Sequence, residues 1–144
     1  ALSNVEPEAY INRGAAVCAY IDAIENAGIS TEIVATSRAK GNSRDIVECR
    51  IMLKQAGQPL DIDGVAFFLG HPAVLRRLVF RWREREAFYK SFCYGYGRSQ
   101  NPEEEDGVLM MPTLRAKDND ISAQEHYNNI KSAIEEQQTL YNPN

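Results

Sequence analysis

The chain has 144 residues, of which 44% are hydrophobic and 25% are charged, and its formal net charge is −4. This length and composition predict one globular domain over residues 1–144 with a buried core. The sequence contains no internal repeat and no long low-complexity segment. No apolar run approaches the roughly 20 residues of a membrane-spanning helix and no signal peptide is recognisable, so we expect no membrane partner.

The charge is unevenly distributed along the chain. Residues 1–70 carry a net charge of −3, residues 71–100 of +5 and residues 101–144 of −6. A basic middle segment between acidic ends makes a mixed surface, which argues against a protein that binds polyanions over its whole surface.

The cysteines give no sign of a disulfide framework or a metal site. Cys18, Cys49 and Cys93 are odd in number and lack the short spacing of a zinc or redox motif. We therefore expect reduced, buried thiols in a cytoplasmic protein.

The first predicted element is a helix over residues 10–27, in which apolar residues recur at helical spacing. Pro7 suits its first turn, and Gly28 suits the left-handed residue that ends a helix. Several small side chains would let this helix lie close against a sheet: Gly14, Ala15, Ala16, Ala19 and Ala23. An α/β fold usually has a strand before such a helix. Either that strand is lost or the chain is a fragment, and the sequence does not decide between the two.

Two strands follow, and the turn residues between them predict an antiparallel hairpin of residues 30–37 with 46–54. The first strand is rich in β-branched residues, and the turn contains Gly41. The second strand alternates clearly, which is typical of a half-buried strand at or near a sheet edge. One face would hold Val47, Cys49, Ile51 and Leu53, and the other Glu48, Arg50, Met52 and Lys54.

The second half of the chain predicts three further helices and two strands. A short helix over 64–69 would be capped by Asp61 or Asp63. A longer helix covers 72–90, and strands are predicted at 91–94 and 108–114. The last helix runs from the N-cap Ser122 to about residue 141, with Glu125 completing a capping box. This order predicts an α/β fold: a three-layer open sheet with helices on both faces, including the antiparallel edge hairpin.

The order of elements resembles the von Willebrand factor A-like (integrin I-like) fold, in which the second and third strands form such a hairpin. The resemblance covers residues 3 to about 140. The first helix and second strand of those domains are resembled by Arg13-Gly14-Ala15-Ala16, Ala27-Gly28 and residues 30–37. Divergent, uncharacterised members in phage and bacterial proteins are similar at Gln58-Pro59-Leu60-Asp61 and His71-Pro72-Ala73-Val74-Leu75-Arg76-Arg77.

Members of that family often bind a divalent metal through a DxSxS motif, a Thr and an Asp. This chain departs from the motif, since only Ser3 lies near the first position and no Asp lies near residues 95–97. The second loop offers Asp61 and Asp63 instead of a Thr. We therefore assign no metal ligand and no cofactor.

The candidates for catalysis are few. We expect His71 to cap a helix and His126 to be solvated, and we expect Asp61 and Asp63 to cap rather than to act as paired carboxylates. A nucleophilic pair of Cys93 with His71 would require a spatial proximity that the sequence does not show. An enzyme thus ranks last among the hypotheses.

The arginine-rich helix 72–90 is the sharpest feature of the sequence. Guanidinium groups on one helix face can neutralise phosphates, and nearby aromatic rings can stack on bases. The favoured interpretation is a solvated face whose arginines pair with Glu84, Glu86 or the acidic loop 103–106. The residues of the nucleic-acid hypothesis are Arg76, Arg77, Arg81, Trp82, Arg83 and Arg85.

Two function hypotheses remain. The leading one is a non-enzymatic interaction module of the von Willebrand A-like type, without an intact metal site, that binds a protein partner. The alternative is an accessory protein that binds single-stranded DNA or RNA through the helix 72–90.

Overall fold

The structure is a computed structural model, and it describes residues 4–41, 45–71, 74–85, 98–105 and 107–141. Helices are mixed with an antiparallel sheet, so the coarse α/β prediction is confirmed. The elements in chain order are α1 (Pro7–Asn26), β1 (Ile33–Lys40), β2 (Ile46–Lys54), α2 (Ile62–Gly70), a π-helical segment (Val74–Val79) that continues into α3 (Phe80–Arg85), β3 (Arg98–Ser99), a 3-10 turn (Ala116–Asp118) and α4 (Ala123–Tyr141).

The sheet has three strands in the order β2-β1-β3, and both pairings are antiparallel. The hairpin is present as the alternation predicted, and β2 has the predicted bounds. However, β1 covers Ile33–Lys40 rather than residues 30–37. It begins later because the Ser30 hydroxyl accepts a bond from the Gly57 amide, and the Thr31 amide donates to the Glu25 carboxylate instead of to a neighbouring strand. It ends later because its last three residues still pair with β2.

Helix α1 packs mainly against α4 and α2, so the expectation that its small residues serve a close approach to the sheet was wrong. Gly14 faces α2, where an added Cβ would lie 3.5 Å from the Leu69 side chain. Ala16 and Tyr20 form a core cluster with Ile130 of α4. Small residues here allow helix-on-helix contact, which the sequence pattern cannot distinguish from helix-on-sheet contact.

A buried ion pair joins the end of α1 to the end of β2. The Lys54 side chain is only 1% exposed, and its ammonium lies 2.5 Å from the Glu25 carboxylate. The same ammonium donates to the carbonyl oxygens of Thr31 and Gln55, at 3.0 and 3.2 Å. Lys54 was predicted on the outward face, and that prediction was wrong because these three acceptors replace its water.

The predicted strand 108–114 does not form, because other groups use its backbone. Arg13 donates to the Pro112 carbonyl, and the Thr113 amide donates to the Asn101 side chain. The apolar side chains of this run still enter the core, with Leu114 buried. The third strand is the short β3, which pairs with the end of β1 and was not predicted. The predicted strand 91–94 lies outside the described residues.

The last helix is confirmed, and Ser122 caps it by accepting a bond from the Glu125 amide. The solvated position predicted for His126 was wrong: its side chain is 5% exposed. His126 precedes the core residue Ile130 by four positions, so both side chains lie on the face of α4 that points into the protein.

Of the predicted helix 72–90, the structure describes residues 74–85. Over the described residues, no helix is both long enough and apolar enough to cross a membrane.

Candidate interaction surface

The outer edge of β2 is the candidate interaction surface of the described structure. This nine-residue strand lies at the end of the sheet, and within the described residues only β1 pairs with it. An edge strand presents a row of backbone N–H and C=O groups that can pair with another chain. Most folds protect such an edge with a short or covered strand, and β2 is long for an edge strand.

Exposed apolar side chains lie on β2 and on the neighbouring β1. Ile46 is 50% exposed and Met52 is 48% exposed, one near each end of the strand. Val34 of β1, which lies directly opposite Met52 in the hairpin register, is 43% exposed. Successive side chains of a strand alternate between faces, so Ile46 and Met52 share one face with Glu48 and Arg50.

Charged groups occupy the middle of the same face. Arg38 lies opposite Glu48 in the register, and their charged groups are 3.4 Å apart. Within β2, Glu48 and Arg50 are 3.0 Å apart. Each charge of this central patch therefore already has a partner of opposite sign.

The acidic loop completes this network. Glu103 lies 2.7 Å from Arg38, and Glu105 lies 2.7 Å from Arg50. The hydrogen bond from Arg38 holds the pKa of Glu103 below its usual value, and the hydrogen bonds to the two glutamates raise the pKa of both arginines. These contacts place the acidic loop over the sheet. The sequence had instead indicated this loop as a possible ion-pair partner of the arginines in the helix 72–90.

The other face of the hairpin is covered by α3. Trp82 packs against Ala39 and Val47, which form a second small core. Arg83 is only 3% exposed, and its guanidinium donates to the Ser37 hydroxyl at 2.9 Å. Burial lowers the pKa of Arg83. This face of the sheet is thus occupied.

The structure separates the arginines of the nucleic-acid hypothesis. Arg77, Arg81 and Arg85 are exposed, and Arg81 lies 3.5 Å from Glu84. Arg83 and Trp82 point to the sheet instead, so they do not share that surface. The side chain of Arg76 lies outside the described residues.

The remaining sequence candidates do not come together as a catalytic set in the described part of the chain. Asp61 caps α2 as predicted, since its carboxylate accepts from the Gly64 amide at 2.9 Å. Asp63 is exposed, and the exposed His71 ends α2 with its ring 5.2 Å from that of Phe67. In the described ranges, no group of three or more His, Cys, Asp or Glu side chains could hold a metal ion.

The two described cysteines, Cys18 and Cys49, are free thiols; Cys18 is buried as predicted, whereas Cys49 is only partly buried. Burial raises the pKa of both, which keeps them protonated and poorly nucleophilic. Cys93 lies outside the described residues, so its proposed pairing with His71 stays a hypothesis.

Sequence reasoning missed a buried polar site between α1 and α4. Arg13 donates to the Pro112 carbonyl, and the buried His126 has no hydrogen-bond partner for its Nε2 atom among the described residues. Burial lowers the pKa of His126, with a further lowering from Arg13 and opposing contributions from Asp118 and Glu125. The helical spacing of His126 to Ile130 was the signal that could have revealed its burial.

The comparisons with known proteins give a family and no more. Residues 1–138 match a family described as Domain of unknown function (DUF7192), and the match spans most of the chain. The protein therefore belongs to this DUF7192 family. Searches of the curated proteins and of the solved structures each gave no significant match.

Proposed function

We propose that this protein is a non-enzymatic interaction module that binds a protein partner along the outer edge of β2. The observation that carries the proposal is the combination of a long open edge strand with the half-exposed side chains Ile46 and Met52. An edge strand can accept a strand of another protein, whose main chain supplies affinity while alternate side chains supply specificity.

The chemistry of this edge favours a protein strand over a small molecule. Its exposed groups are backbone amides, two apolar side chains and paired charges, which match the alternating pattern of another strand. A depression of about 370 Å³ between residues 25–30 and 57–59 lies away from this edge, beside the buried Lys54 pair, and it is shallow. Such a wide, open shape does not enclose a ligand.

The finer fold assignment belongs to the same proposal. We infer a von Willebrand A-like domain without an intact metal site, in which the hairpin is the edge of a three-layer open sheet. The antiparallel hairpin of β1 and β2 supports this assignment. A phage or bacterial origin and a cytoplasmic location are further parts of the proposal, and they rest on the sequence resemblance and the cysteine content.

A site-specific photo-crosslinker tests the partner surface. We expect a crosslinking amino acid at position 52 to capture a discrete protein in an extract of the source cells. The same group at Ile62, which is 55% exposed on α2, is the matched control and should not capture it. Equal capture at both positions, or none at position 52, would contradict the proposal.

A second candidate is the binding of single-stranded DNA or RNA. It is favoured by the exposure of Arg77, Arg81 and Arg85, which follow one another at intervals of four residues. Such a row of guanidinium groups can neutralise successive phosphates in a salt-dependent manner.

A gel shift with single-stranded oligonucleotides tests this second function. Arg77→Ala combined with Arg81→Ala should abolish a salt-sensitive shift, while Arg115→Ala combined with Lys117→Ala, on the exposed 3-10 turn, should leave it unchanged. A protein that gives no shift at low salt does not have this activity.

A further inference from the structure

We propose that the partner of the β2 edge is a second copy of this chain, whose β2 pairs antiparallel with the first about a two-fold axis at Cys49. This inference rests on the proposed function, because it names the occupant of the same edge. The result would be one continuous six-stranded sheet in the order β3-β1-β2-β2-β1-β3.

Symmetry limits the possible registers of such a pair. Directly opposed residues of antiparallel strands point to the same face of the sheet, so the axis must pass through a residue position. An axis at Glu48 or at Arg50 would place two like charges opposite each other, which is destabilising. An axis at Ile51 would set Glu48 against Lys54, whose ammonium is already held by Glu25 inside the protein.

The axis at Cys49 instead gives complementary charges. It places Glu48 of one copy opposite Arg50 of the other, and the same pair recurs on the other side of the axis. Arg50 is half-exposed and so can reach across the edge. With the contacts inside each copy, the charges would alternate in sign across the sheet as Arg38, Glu48, Arg50 and Glu105.

The same register also matches the apolar side chains. Ile46 of one copy lies opposite Met52 of the other. The two-fold axis repeats this contact, so the half-exposed Ile46 and Met52 of both copies are in contact. On the opposite face Val47 lies against Ile51, and Cys49 lies against its own copy. Apolar cross-strand pairs add to the stability of a sheet, and their burial removes an exposed apolar patch from water.

Charge reversal tests the register directly. Wild-type protein should sediment as a dimer at micromolar concentration, whereas Glu48→Arg alone or Arg50→Glu alone should dissociate. Because two attractive pairs become repulsive, the dissociation constant should rise by about tenfold or more. An equimolar mixture of the two variants should again form a dimer, since every opposed pair in the mixed dimer has opposite charges.

The matched controls are Glu136→Arg on α4 and Lys117→Glu on the 3-10 turn, both exposed and away from β2. They should leave the dimer unchanged. A monomeric wild type, charge variants that remain dimeric, or a mixture that fails to recombine would each overturn this register.

A crosslinking experiment keeps the test valid if a charge variant does not fold. In a Cys49→Ala background, a mixture of Ile46→Cys and Met52→Cys chains should form an intermolecular disulfide under mild oxidation. Ile46→Cys alone should not, because that position faces position 52 of the partner. If the wild type is monomeric but the probe at position 52 captures another protein, self-pairing is wrong while the interaction function stands; if neither occurs, both are wrong.

Discussion

The helical part of the molecule and its hairpin are built differently. Helices α1 and α4 bury Ala16, Tyr20 and Ile130 against each other, and the extended run 108–114 adds Leu109 and Met111 to this core. Apart from the paired Lys54, the hairpin buries only Ala39 and Val47, which lie beneath Trp82. One of its faces is charged, and within the described residues no strand pairs with the outer side of β2. We infer from this comparison that the helical part supplies most of the stability, and we propose that the hairpin supplies the surface for a partner.

The two parts are joined at one corner. The Glu25–Lys54 pair and the bond from the Gly57 amide to the Ser30 hydroxyl fix the end of α1 to the end of β2. Gly57 has a φ of +77°, a conformation that favours glycine and that brings its amide to Ser30. The hairpin is therefore positioned by polar contacts at its base, while β2 has no neighbouring strand on its outer side in the described part of the chain.

The largest expected effect comes from the helical core. Ile130→Ala should lower the free energy of unfolding by about 2–5 kcal/mol, because it leaves a cavity beside Tyr20. Chemical denaturation measures this loss. Ile11→Ala, at a side chain that is 60% exposed, is the control and should change stability by about 0.5 kcal/mol or less. Similar effects of the two variants would refute the assignment of this core.

A smaller effect is expected at the corner between the two parts. Lys54→Met should cost about 1–3 kcal/mol, because the carbonyl oxygens of Thr31 and Gln55 lose their buried donor. Amide hydrogen exchange should also become faster at the Lys54 end of β2 than in α4. The control Lys40→Met, at an exposed position of β1, should have no such effect. Unchanged stability in Lys54→Met would show that the pair does not hold the hairpin in place.

The smallest effect depends on pH. The pKa of His126 is lowered in the folded protein, so the unfolded chain binds a proton more readily near and below pH 6.5. The stability that comes from keeping His126 neutral is present above that pH and is lost as the pH falls through the lower, folded-state pKa.

Comparison with His126→Gln isolates this contribution. The stability advantage of the wild type over His126→Gln should shrink as the pH falls below about 6.5. The control Ser132→Ala, at an exposed position of the same helix, removes no titratable group and should keep a constant difference from the wild type. A constant difference for His126→Gln would contradict the burial of this side chain.

The sequence was most informative where one face of an element meets the core and the other meets water. The alternation of β2 and the caps of α1, α2 and α4 predicted those elements well, since side-chain pattern and capping are local properties. Local patterns could not show that Lys54 is buried, because its partner Glu25 lies on another element. They also could not show which side of α3 faces the sheet, so Arg83 and Trp82 were grouped with exposed arginines.

The run 108–114 shows a different limit of the sequence. Its apolar residues do enter the core, but its backbone is bonded to side chains such as those of Arg13 and Asn101 rather than to a strand. Apolar content thus predicted burial correctly and secondary structure incorrectly. The alternation of β2 predicted a strand at or near a sheet edge, but local patterns could not give the strand order that leaves its outer side unpaired within the described residues.

Amide hydrogen exchange of β2 at two protein concentrations tests the central claim most directly. At low concentration, the outward-facing amides of residues 46–54 should exchange fast while the amides bonded to β1 stay protected. At high concentration, the outward-facing amides should become protected as the second copy pairs with them. Strong protection of every β2 amide at all concentrations, unaffected by Glu48→Arg, would show that the edge is already covered within one chain and would contradict the account.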